Sequence, residues 1–260
     1  MRKASFHSLN SCILRPQNGS INFSNNSYLV HFSLIIPCYN NAEELCRELP
    51  PLLDFLVRSG HDVETIVVND GASDCEALNR FCLSSNIRLI HHEYNLGKGA
   101  AVRSGMLAAT REVRIFTDAD IPFQYGTMEA ILRLFEDPMV DVVAGDRRKS
   151  DYFAKTSAVR QIGTRVFSAV VNLIMMQRMG DTQCGIKGFR ASCIDAVVAQ
   201  STLNGFAADI EWMHRAKKQG LQVRIVSAEF RNAGKSSVVL WKHALPMLFD
   251  VLKMRFSKSF

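Results

Sequence analysis

The stretch VRIFTDAD, residues 113–120, joins a short β-rich apolar run to two aspartates that are separated by one residue. The same arrangement, an apolar run that gives way to polar residues and glycine, recurs along the chain, and each run has the length and composition of a strand. The predicted strands are FSLIIP (32–37), ETIVVN (64–69), IRLIH (87–91), VRIFTD (113–118) and DVVAG (141–145).

Helical patterns fill the intervals between these runs: AEELCRELPPLLDFLV, SDCEALNRFCL, GKGAAVRSGMLAAT and GTMEAILRLFE. Strands that alternate with helices predict an α/β fold, with a mainly parallel sheet and helices on both faces. Ligands of such sheets bind beyond the carboxyl ends of the strands. Because the predicted strands are followed by polar, mostly glycine-containing segments, we expect one shared site at that edge.

The two ends of the chain differ from this central pattern. Residues 1–31 are rich in Asn and Ser and show no periodicity, which predicts a poorly ordered leader. We place one α/β domain at 32–236. Residues 237–260 are apolar with interspersed basic residues and predict an amphipathic helix that docks on a membrane, packs on the domain or forms a homodimer.

Between residues 150 and 236 the rhythm changes. Residues 157–177 predict a helix, followed by the loop MGDTQCGIKGFR, helices around 191–200 and at 208–218, and a strand at 223–230. The apolar residues of the first of these helices lie on one stripe: Val159, Ile162, Val166, Val170 and Ile174.

Composition limits the function classes. The chain has 260 residues, 47% hydrophobic and 22% charged, with a net charge of +6, so a globular protein with an anionic partner is expected. Seven cysteines without a C-x-x-C pair indicate reduced thiols rather than a disulfide framework or a zinc site. The longest uncharged apolar stretch, 166–177, is too short to span a bilayer, so we predict only peripheral membrane contact.

Asp118 and Asp120 are candidate metal ligands. Both follow a predicted strand, and hard carboxylate oxygens suit Mg²⁺ or Mn²⁺, which share their coordination shell with diphosphate oxygens. A lone D-x-D pattern is short and common, and it is equally compatible with a solvated loop.

Two further strand ends could hold a nucleotide. Asp70, in VVNDGASD, could accept a hydrogen bond from an N–H group of uracil or guanine, or it could form a turn or cap the next helix. The segment NLGKGAAVRSG (95–105) carries glycines and Lys98 at a strand-to-helix turn. It could cradle a phosphate, or be a tight turn in which Gly105 packs the helix.

A basic cluster follows the fifth predicted strand. Arginine forks bind phosphate in a bidentate manner, so the cluster favours an anionic acceptor over a merely solvated face. Arg160 and Thr164 are four residues apart and share a helix face. The six basic residues are Arg147, Arg148, Lys149, Lys155, Arg160 and Arg165.

Six motifs in order carry a resemblance to a known family: PCYNNAEEL, VVNDGASD, NLGKGAAVRSG, FTDADIPF, DTQCGIKGF and FAADIEW. From about residue 32 to 240 the chain resembles family 2 glycosyltransferases of GT-A fold, and more closely the dolichyl- or polyprenyl-phosphate glucosyl- and mannosyltransferases. The resemblance implies inverting, metal-dependent transfer from a nucleotide sugar to a lipid phosphate. UDP-glucose is the first expectation for the donor and GDP-mannose the second, with Mg²⁺ or Mn²⁺ as the cofactor.

The resemblance also implies residue roles. Pro37, Tyr39 and Asp70 would line the base and ribose with Glu44 nearby, Lys98 would contact the donor, and Asp118 and Asp120 would bind the metal. The acceptor phosphate would be held by Arg147, Arg160, Thr164 and Arg231. Asp181 and Asp209 belong to motifs that line the sugar pocket. The chain departs from the family pattern at Asn41 and Asn69, where acidic residues are usual.

The acceptor decides whether a base is needed. A phosphate monoester is largely dianionic at pH 7 and needs little help, whereas a sugar hydroxyl would need a carboxylate base, for which Asp209 and Asp181 are the candidates. A transferase with a saccharide acceptor and a catalytically silent nucleotide-binding homologue are the alternatives. A nicotinamide dehydrogenase and nucleic-acid binding are disfavoured because G-x-G-x-x-G and interleaved stacking aromatics are absent. We expect the protein at the cytoplasmic face of a membrane.

Overall fold

The computed structural model describes residues 29–73, 75–150, 153, 156, 158–175, 181, 184–231 and 240–256; for residues 149, 159, 160 and 240–244 it describes the backbone alone. The predicted leader therefore lies almost wholly outside the described residues, apart from 29–31. Its boundary is one residue late, because the first strand already begins at His31.

A seven-stranded sheet forms the centre of the fold. The strands are β1 (His31–Cys38), β2 (Asp62–Asn69), β3 (Arg88–His91), β4 (Val113–Phe116), β5 (Val142–Asp146), β6 (Lys187–Arg190) and β7 (Val223–Ser227). Their order across the sheet is β3-β2-β1-β4-β6-β5-β7, and every pair that does not involve β6 is parallel. The predicted α/β class and its mainly parallel sheet are confirmed.

Strand β6 corrects one prediction. The segment MGDTQCGIKGFR was expected to be a loop, but Lys187–Arg190 pairs antiparallel with both β4 and β5. Gly185, Gly188, Lys187 and Arg190 give this segment a low β propensity, so the sequence did not predict a strand. The hydrogen bonds to the two neighbouring strands override that local preference. Because β6 runs antiparallel, its first residue, Lys187, lies opposite Phe116 at the carboxyl end of β4.

Helices cover both faces of the sheet. They are α1 (Ala42–Arg58), α2 (Glu76–Ser84), α3 (Lys98–Ala108), α4 (Tyr125–Leu134), α5 (Ala158–Met175), α6 (Ala208–Lys218) and α7 (Leu240–Phe256). One apolar core lies under α1, α2 and α4, and a second lies under α3, α5, α6 and α7. The predicted helix around 191–200 is a 3₁₀ turn (Ala191–Cys193) followed by a π-helical turn (Asp195–Ala199).

The inner face of α5 is not the one that the sequence pattern suggested. Ile162 and Val166, on the predicted apolar stripe, are each more than half exposed. The side chains that the helix buries are Thr164, Ser168, Val171 and Met175, spaced at helical intervals. Helix α5 packs against α7, and Ile162 and Val166 of the predicted stripe face away from the core, whereas Ile174 of the same stripe packs against it.

Two further features concern the described helices and cysteines. No described helix is long and apolar enough to cross a bilayer. The six described cysteines are free thiols.

Candidate functional site

The two aspartates of FTDADIPF lie at the carboxyl edge of the sheet, on a tight turn after β4. The Ile121 N–H donates a hydrogen bond to the Asp118 carbonyl at 3.0 Å, which closes the turn around Ala119 and Asp120. Ile121 has φ of 38°, a left-handed conformation that is strained for a β-branched residue. Strain of this kind persists where the surroundings impose it, often at functional sites.

Negative charge accumulates at this turn. Burial, followed by the carboxylates of Asp118 and Glu44, raises the pKa of Asp120 to about 6. A divalent cation would remove that repulsion, and two carboxylates are the hard donors that Mg²⁺ or Mn²⁺ prefers. Within the described residues no three His, Cys, Asp or Glu side chains form a metal-binding group. Asp118 and Asp120 thus fit a metal that takes its other ligands from diphosphate and water.

Lys98 already contacts one of these aspartates. Its ammonium lies 2.5 Å from Asp118 Oδ1. The Lys98 Nζ also lies 6.0 Å from the centre of the Phe116 ring and 5.9 Å from that of the partly exposed Phe206 ring. Burial lowers the pKa of Lys98, but Asp118 and Asp209 raise it by more, so the lysine stays charged. Lys98, the first residue of α3, thus faces the turn of residues 118–121, which we call the metal-binding turn after the role proposed for it.

Asp70 organises the loop that precedes α3. Its carboxylate is buried and accepts hydrogen bonds from the His92 ring at 2.7 Å, from Leu96 N–H at 3.0 Å and from Gly97 N–H at 2.8 Å. A carboxylate offers about four acceptor sites, so one remains for a ligand. Contact between Asp70 and a nucleobase stays a prediction. Its observed partners give it a structural role, but in the loop before α3 and not in the turn or cap that the sequence suggested.

The glycines of NLGKGAAVRSG are required by packing. A Cβ at Gly97 would lie 2.5 Å from Asn204 O, and one at Gly99 would collide with Ala208. A Cβ at Gly105 would collide with Ile35, as expected for a helix-packing glycine. The N–H groups of Leu96, Gly97 and Ala100 already have acceptors. This geometry favours the tight-turn interpretation over a backbone phosphate cradle.

Arg147 and Asp181 form a bidentate ion pair. Asp181 accepts hydrogen bonds from Arg147 Nε at 2.7 Å and Nη2 at 3.0 Å, and the Asp181 side chain is almost completely buried. Burial alone would raise the pKa of Asp181, but Arg147 lowers it below the usual value. Asp118 is among the carboxylates that raise the pKa of Arg147, so this arginine lies within electrostatic reach of the metal-binding turn.

Lys187 and Asp209 form a second, more deeply buried pair. Lys187 Nζ donates to Asp209 Oδ2 at 3.1 Å and to Cys184 O at 2.6 Å, and it lies 5.5 Å from the centre of the Phe116 ring. The sequence analysis quoted Lys187 within DTQCGIKGF but gave it no role. A lysine between two glycines in a predicted loop carries no burial signal, and only the antiparallel β6 places it under the site.

The structure describes only part of the surroundings of the remaining predicted acceptor residues. Arg231 contacts Tyr125 Oη at 3.0 Å and Glu48 at 3.1 Å, and its backbone N–H donates to Pro122 O beside the metal-binding turn. Thr164 is buried on the inner face of α5. The side chain of Arg160 lies outside the described residues. Convergence of these residues with Arg147 therefore stays a prediction.

The predicted nucleotide residues at the end of β1 are accessible. Pro37 is half-buried at the end of the strand, and Tyr39 is half-exposed just beyond it. Glu44, in the first turn of α1, is close enough to Asp120 to raise its pKa. These positions surround the metal-binding turn from the β1 side, as expected for the donor half of a site.

Solved structures share this architecture. Glucosyl-3-phosphoglycerate synthase from Mycobacterium tuberculosis, solved with Mn²⁺, UDP and glucosyl-3-phosphoglycerate, matches with a TM-score of 0.65 and 14% identity over 86% of this chain and 79% of that one. Mannosyl-3-phosphoglycerate synthase from Rubrobacter xylanophilus matches with a TM-score of 0.64 and 15% identity over 88% and 75%. These likenesses confirm the GT-A fold of a glycosyltransferase.

The sequence assigns the family. Residues 33–198 match the family described as "Glycosyl transferase family 2", and the chain belongs to that family of glycosyltransferases. Two similar proteins are the "Dolichyl-phosphate beta-glucosyltransferase" of Dictyostelium discoideum, 28% identical over 243 residues, and that of Saccharomyces cerevisiae, 24% identical over 250 residues. Each alignment covers 87% of this chain and 74% of the relative.

Proposed function

We propose that this glycosyltransferase transfers a hexose, with inversion, from a nucleotide sugar to a dolichyl or polyprenyl phosphate. UDP-glucose is the first choice of donor and GDP-mannose the second. The names of the relatives support the lipid-phosphate acceptor and glucose, and the Mn²⁺ and UDP bound to the M. tuberculosis enzyme support a metal-bound nucleotide in this fold.

The observation that carries the choice of acceptor is the state of the two candidate bases. Both oxygens of Asp181 accept hydrogen bonds from Arg147, and one oxygen of Asp209 accepts one from Lys187, so each candidate base already has a cationic partner. A phosphate monoester needs no such base, because its second pKa is about 6 and it is largely dianionic at pH 7. The acceptor oxygen then forms the new bond to the anomeric carbon as the bond to the nucleoside diphosphate breaks.

The donor half of the site would be built from four groups. Asp118 and Asp120 would hold Mg²⁺ or Mn²⁺, which offsets the charge that develops on the leaving nucleoside diphosphate. Lys98 would contact the diphosphate, and the segment from Pro37 to Glu44 would line the base and ribose together with Asp70. The protein's own contribution is to position the donor and to exclude water.

The acceptor half would use cations in place of a base. Arg147, Arg160 and Arg231, with the Thr164 hydroxyl, would hold the acceptor phosphate and screen its charge. The electrostatic proximity of Arg147 and Asp118 supports a position for that phosphate beside the diphosphate.

Helices α5 and α7 would bring this site to a membrane. On α7, Leu245, Phe249, Leu252 and Phe256 are exposed at intervals of four, three and four residues, and Lys253 lies 4.5 Å from the Phe249 ring. On α5, the exposed Ile162, Ala169 and Leu173 continue this apolar face. Apolar stripes bordered by basic side chains suit the headgroup region of an anionic bilayer. We therefore propose peripheral contact at the cytoplasmic face through the C-terminal segment 237–260 and α5.

A radiolabel transfer assay tests the proposed reaction. Purified protein, Mn²⁺ or Mg²⁺, labelled UDP- and GDP-sugars and a short-chain polyprenyl phosphate would be mixed, and label in the organic phase would be counted. We expect metal-dependent transfer from UDP-glucose. Metal-dependent hydrolysis without lipid transfer would move the acceptor to a saccharide, and neither activity would favour a catalytically silent homologue.

The acceptor site has its own test. Arg160→Ala is expected to raise KM for the lipid phosphate about tenfold or more, as for loss of a charge-assisted hydrogen bond, while nucleotide affinity changes little. Arg133→Ala, in an exposed pair on α4, is the control. Equal losses in lipid and nucleotide binding would overturn the acceptor assignment.

A further inference from the structure

Three ion pairs surround the metal-binding turn, and they differ in how open they are. The side chains of Lys187 and Asp209 are 0% and 9% exposed, whereas those of Lys98 and Asp118 are 19% and 34% exposed. Lys187 and Asp209 are also held by the β6 strand and the α6 helix around them. The Arg147 side chain is 20% exposed, but two hydrogen bonds join it to the buried Asp181. The pair that can rearrange most readily when a ligand arrives is therefore Lys98–Asp118.

Within that pair, the aspartate is fixed and the lysine is free to move. A Cβ added at Gly185 would collide with the Asp118 carboxylate, which shows that the carboxylate lies directly against the Gly185 backbone. Lys98 contacts Asp118 at the end of a flexible four-carbon side chain. Its Nζ lies at about equal distances from the centres of the Phe116 and Phe206 rings. A divalent cation bound to the same carboxylate would repel the Lys98 ammonium, because two positive charges would lie a few ångströms apart.

A second carboxylate is available to receive the displaced charge. Asp209 already acts on Lys98 electrostatically, and the ammonium groups of Lys98 and Lys187 lie near the same Phe116 ring. Lys187 keeps Asp209 in place and also binds the Cys184 carbonyl, one residue before Gly185. One buried lysine thus connects the backbone beneath Asp118 to the carboxylate that attracts Lys98.

We propose that Lys98 is the resident counter-ion of Asp118, and that a divalent metal with its nucleotide displaces it toward Asp209, which Lys187 holds in position. Lys98 then carries its charge toward the diphosphate, and Asp209 and Lys187 are positioning residues rather than a base and its partner. This inference rests on the proposed metal-nucleotide site, and it adds a competition between the Lys98 ammonium and the metal for the Asp118 carboxylate.

The test measures Mn²⁺ affinity by electron paramagnetic resonance of free Mn²⁺, without substrate turnover. Lys98→Met removes the competing ammonium, so affinity for Mn²⁺ alone is expected to rise about tenfold or more. Affinity for Mn²⁺ with UDP is expected to fall in the same variant, because the diphosphate loses its lysine. Lys218→Met, an exposed lysine on α6, is the matched control and should change neither value.

A double-mutant cycle tests the role of Asp209. Asp209→Asn removes the second position for Lys98, so Mn²⁺ binding is expected to weaken several-fold, and this effect should vanish in the Lys98→Met background. Thermal melts establish that each variant is folded. Because Lys98→Met alters a partly exposed side chain, it tests the proposal even if Asp209→Asn does not fold.

The outcomes separate this inference from the proposed function. Wild-type binding of Mn²⁺ with UDP, combined with unchanged or weaker Mn²⁺ affinity in Lys98→Met, would overturn the counter-ion proposal alone. An Asp209→Asn effect that persists without Lys98 would overturn the role given to Asp209. No Mn²⁺ binding by the wild type, with UDP or with GDP, would overturn both the metal-dependent function and the inference.

Discussion

The carboxyl edge of the sheet and the outer face of α5 and α7 differ in whether their side chains have partners within the described residues. At the edge, Lys98, Arg147 and Lys187 each contact a carboxylate of the same chain. On the outer face, apolar side chains are exposed in rows at helical spacing. Elsewhere on the protein exposed apolar residues such as Val57, Leu83 and Met139 are scattered singly, as is normal for a globular surface.

This contrast separates the charged groups at the edge, which have partners within the chain, from the apolar rows on the outer face, which are exposed. Catalytic charges must be pre-arranged before a substrate arrives, and the edge arranges them with counter-ions and backbone hydrogen bonds. The apolar rows are exposed in the part of the chain that the structure describes, and a lipid surface would bury them. Substitutions at the edge should therefore impair chemistry with any acceptor, whereas substitutions on the outer face should impair only reactions that occur at a lipid surface.

The largest effect is expected at the metal-binding turn. Asp120→Asn should lower transfer about 10³-fold with both short-chain and vesicle-embedded acceptors, because a metal ion contributes several kcal/mol of charge stabilisation. The measurement is label transfer under saturating donor. Asp54→Asn, in an exposed ion pair on α1, is the control. Activity retained within a few-fold would show that the edge is not a metal site.

A glycine beneath the same turn is expected to come next. Gly185→Ala should lower transfer by about 10² because its methyl group displaces the Asp118 carboxylate, and a small misplacement near the chemistry can reduce the rate by that much. Gly126→Ala is a matched control, since its added Cβ meets no atom within 4 Å. If Gly185→Ala lowers transfer only to vesicle-embedded acceptors, the proposed difference between the sheet edge and the outer face is wrong.

A smaller and different effect is expected on the outer face. Phe249→Glu should weaken binding to anionic vesicles about 30-fold, since burial of one apolar side chain contributes about 1.5–3 kcal/mol and each 1.4 kcal/mol is a factor of ten. Transfer to a short-chain acceptor in detergent-free solution should not change.

Vesicle co-sedimentation measures this effect. Leu83→Glu, on the opposite side of the sheet, is the control. Unchanged vesicle binding together with a shift from dimer to monomer would identify the outer face as a homodimer interface instead of a membrane surface.

The smallest effect is on the stability of the metal-free protein. The pKa of Asp120 is raised to about 6, so the folded state binds more protons than the unfolded state between about pH 4 and 6, and stability falls as pH rises through that window. Asp120→Asn removes this penalty. We expect it to raise the unfolding free energy by about 1 kcal/mol at pH 7.5, allowing for solvent screening, and by nothing near pH 4.

Thermal denaturation in a chelator, at both pH values, measures this difference. A variant that is less stable than the wild type at pH 7.5 would mean that the Asp120 carboxylate is favourably solvated, and that the edge carries no excess of negative charge.

Much of the fold follows from local patterns. The β-rich runs that end in VVN and VRIF, with amphipathic helices between them, were sufficient to predict a parallel α/β sheet and its functional edge. The position of Asp118 and Asp120 at that edge is confirmed for the same reason, since the carboxyl ends of parallel strands meet. Strand β6 was missed because KGFR has little strand propensity and owes its pairing to two neighbours distant in sequence.

The sequence by itself determined the class of fold, the family and the residues at the strand ends, because alternation of short strands and helices and the order of six motifs are local properties. Only the tertiary structure decided which charged residues form ion pairs: Asp181 with Arg147, Asp209 with Lys187, and Asp118 with Lys98. It also decided that Ile162 and Val166 of α5 are exposed. Ion pairing and burial depend on segments far apart in the chain, which periodicity and spacing do not encode.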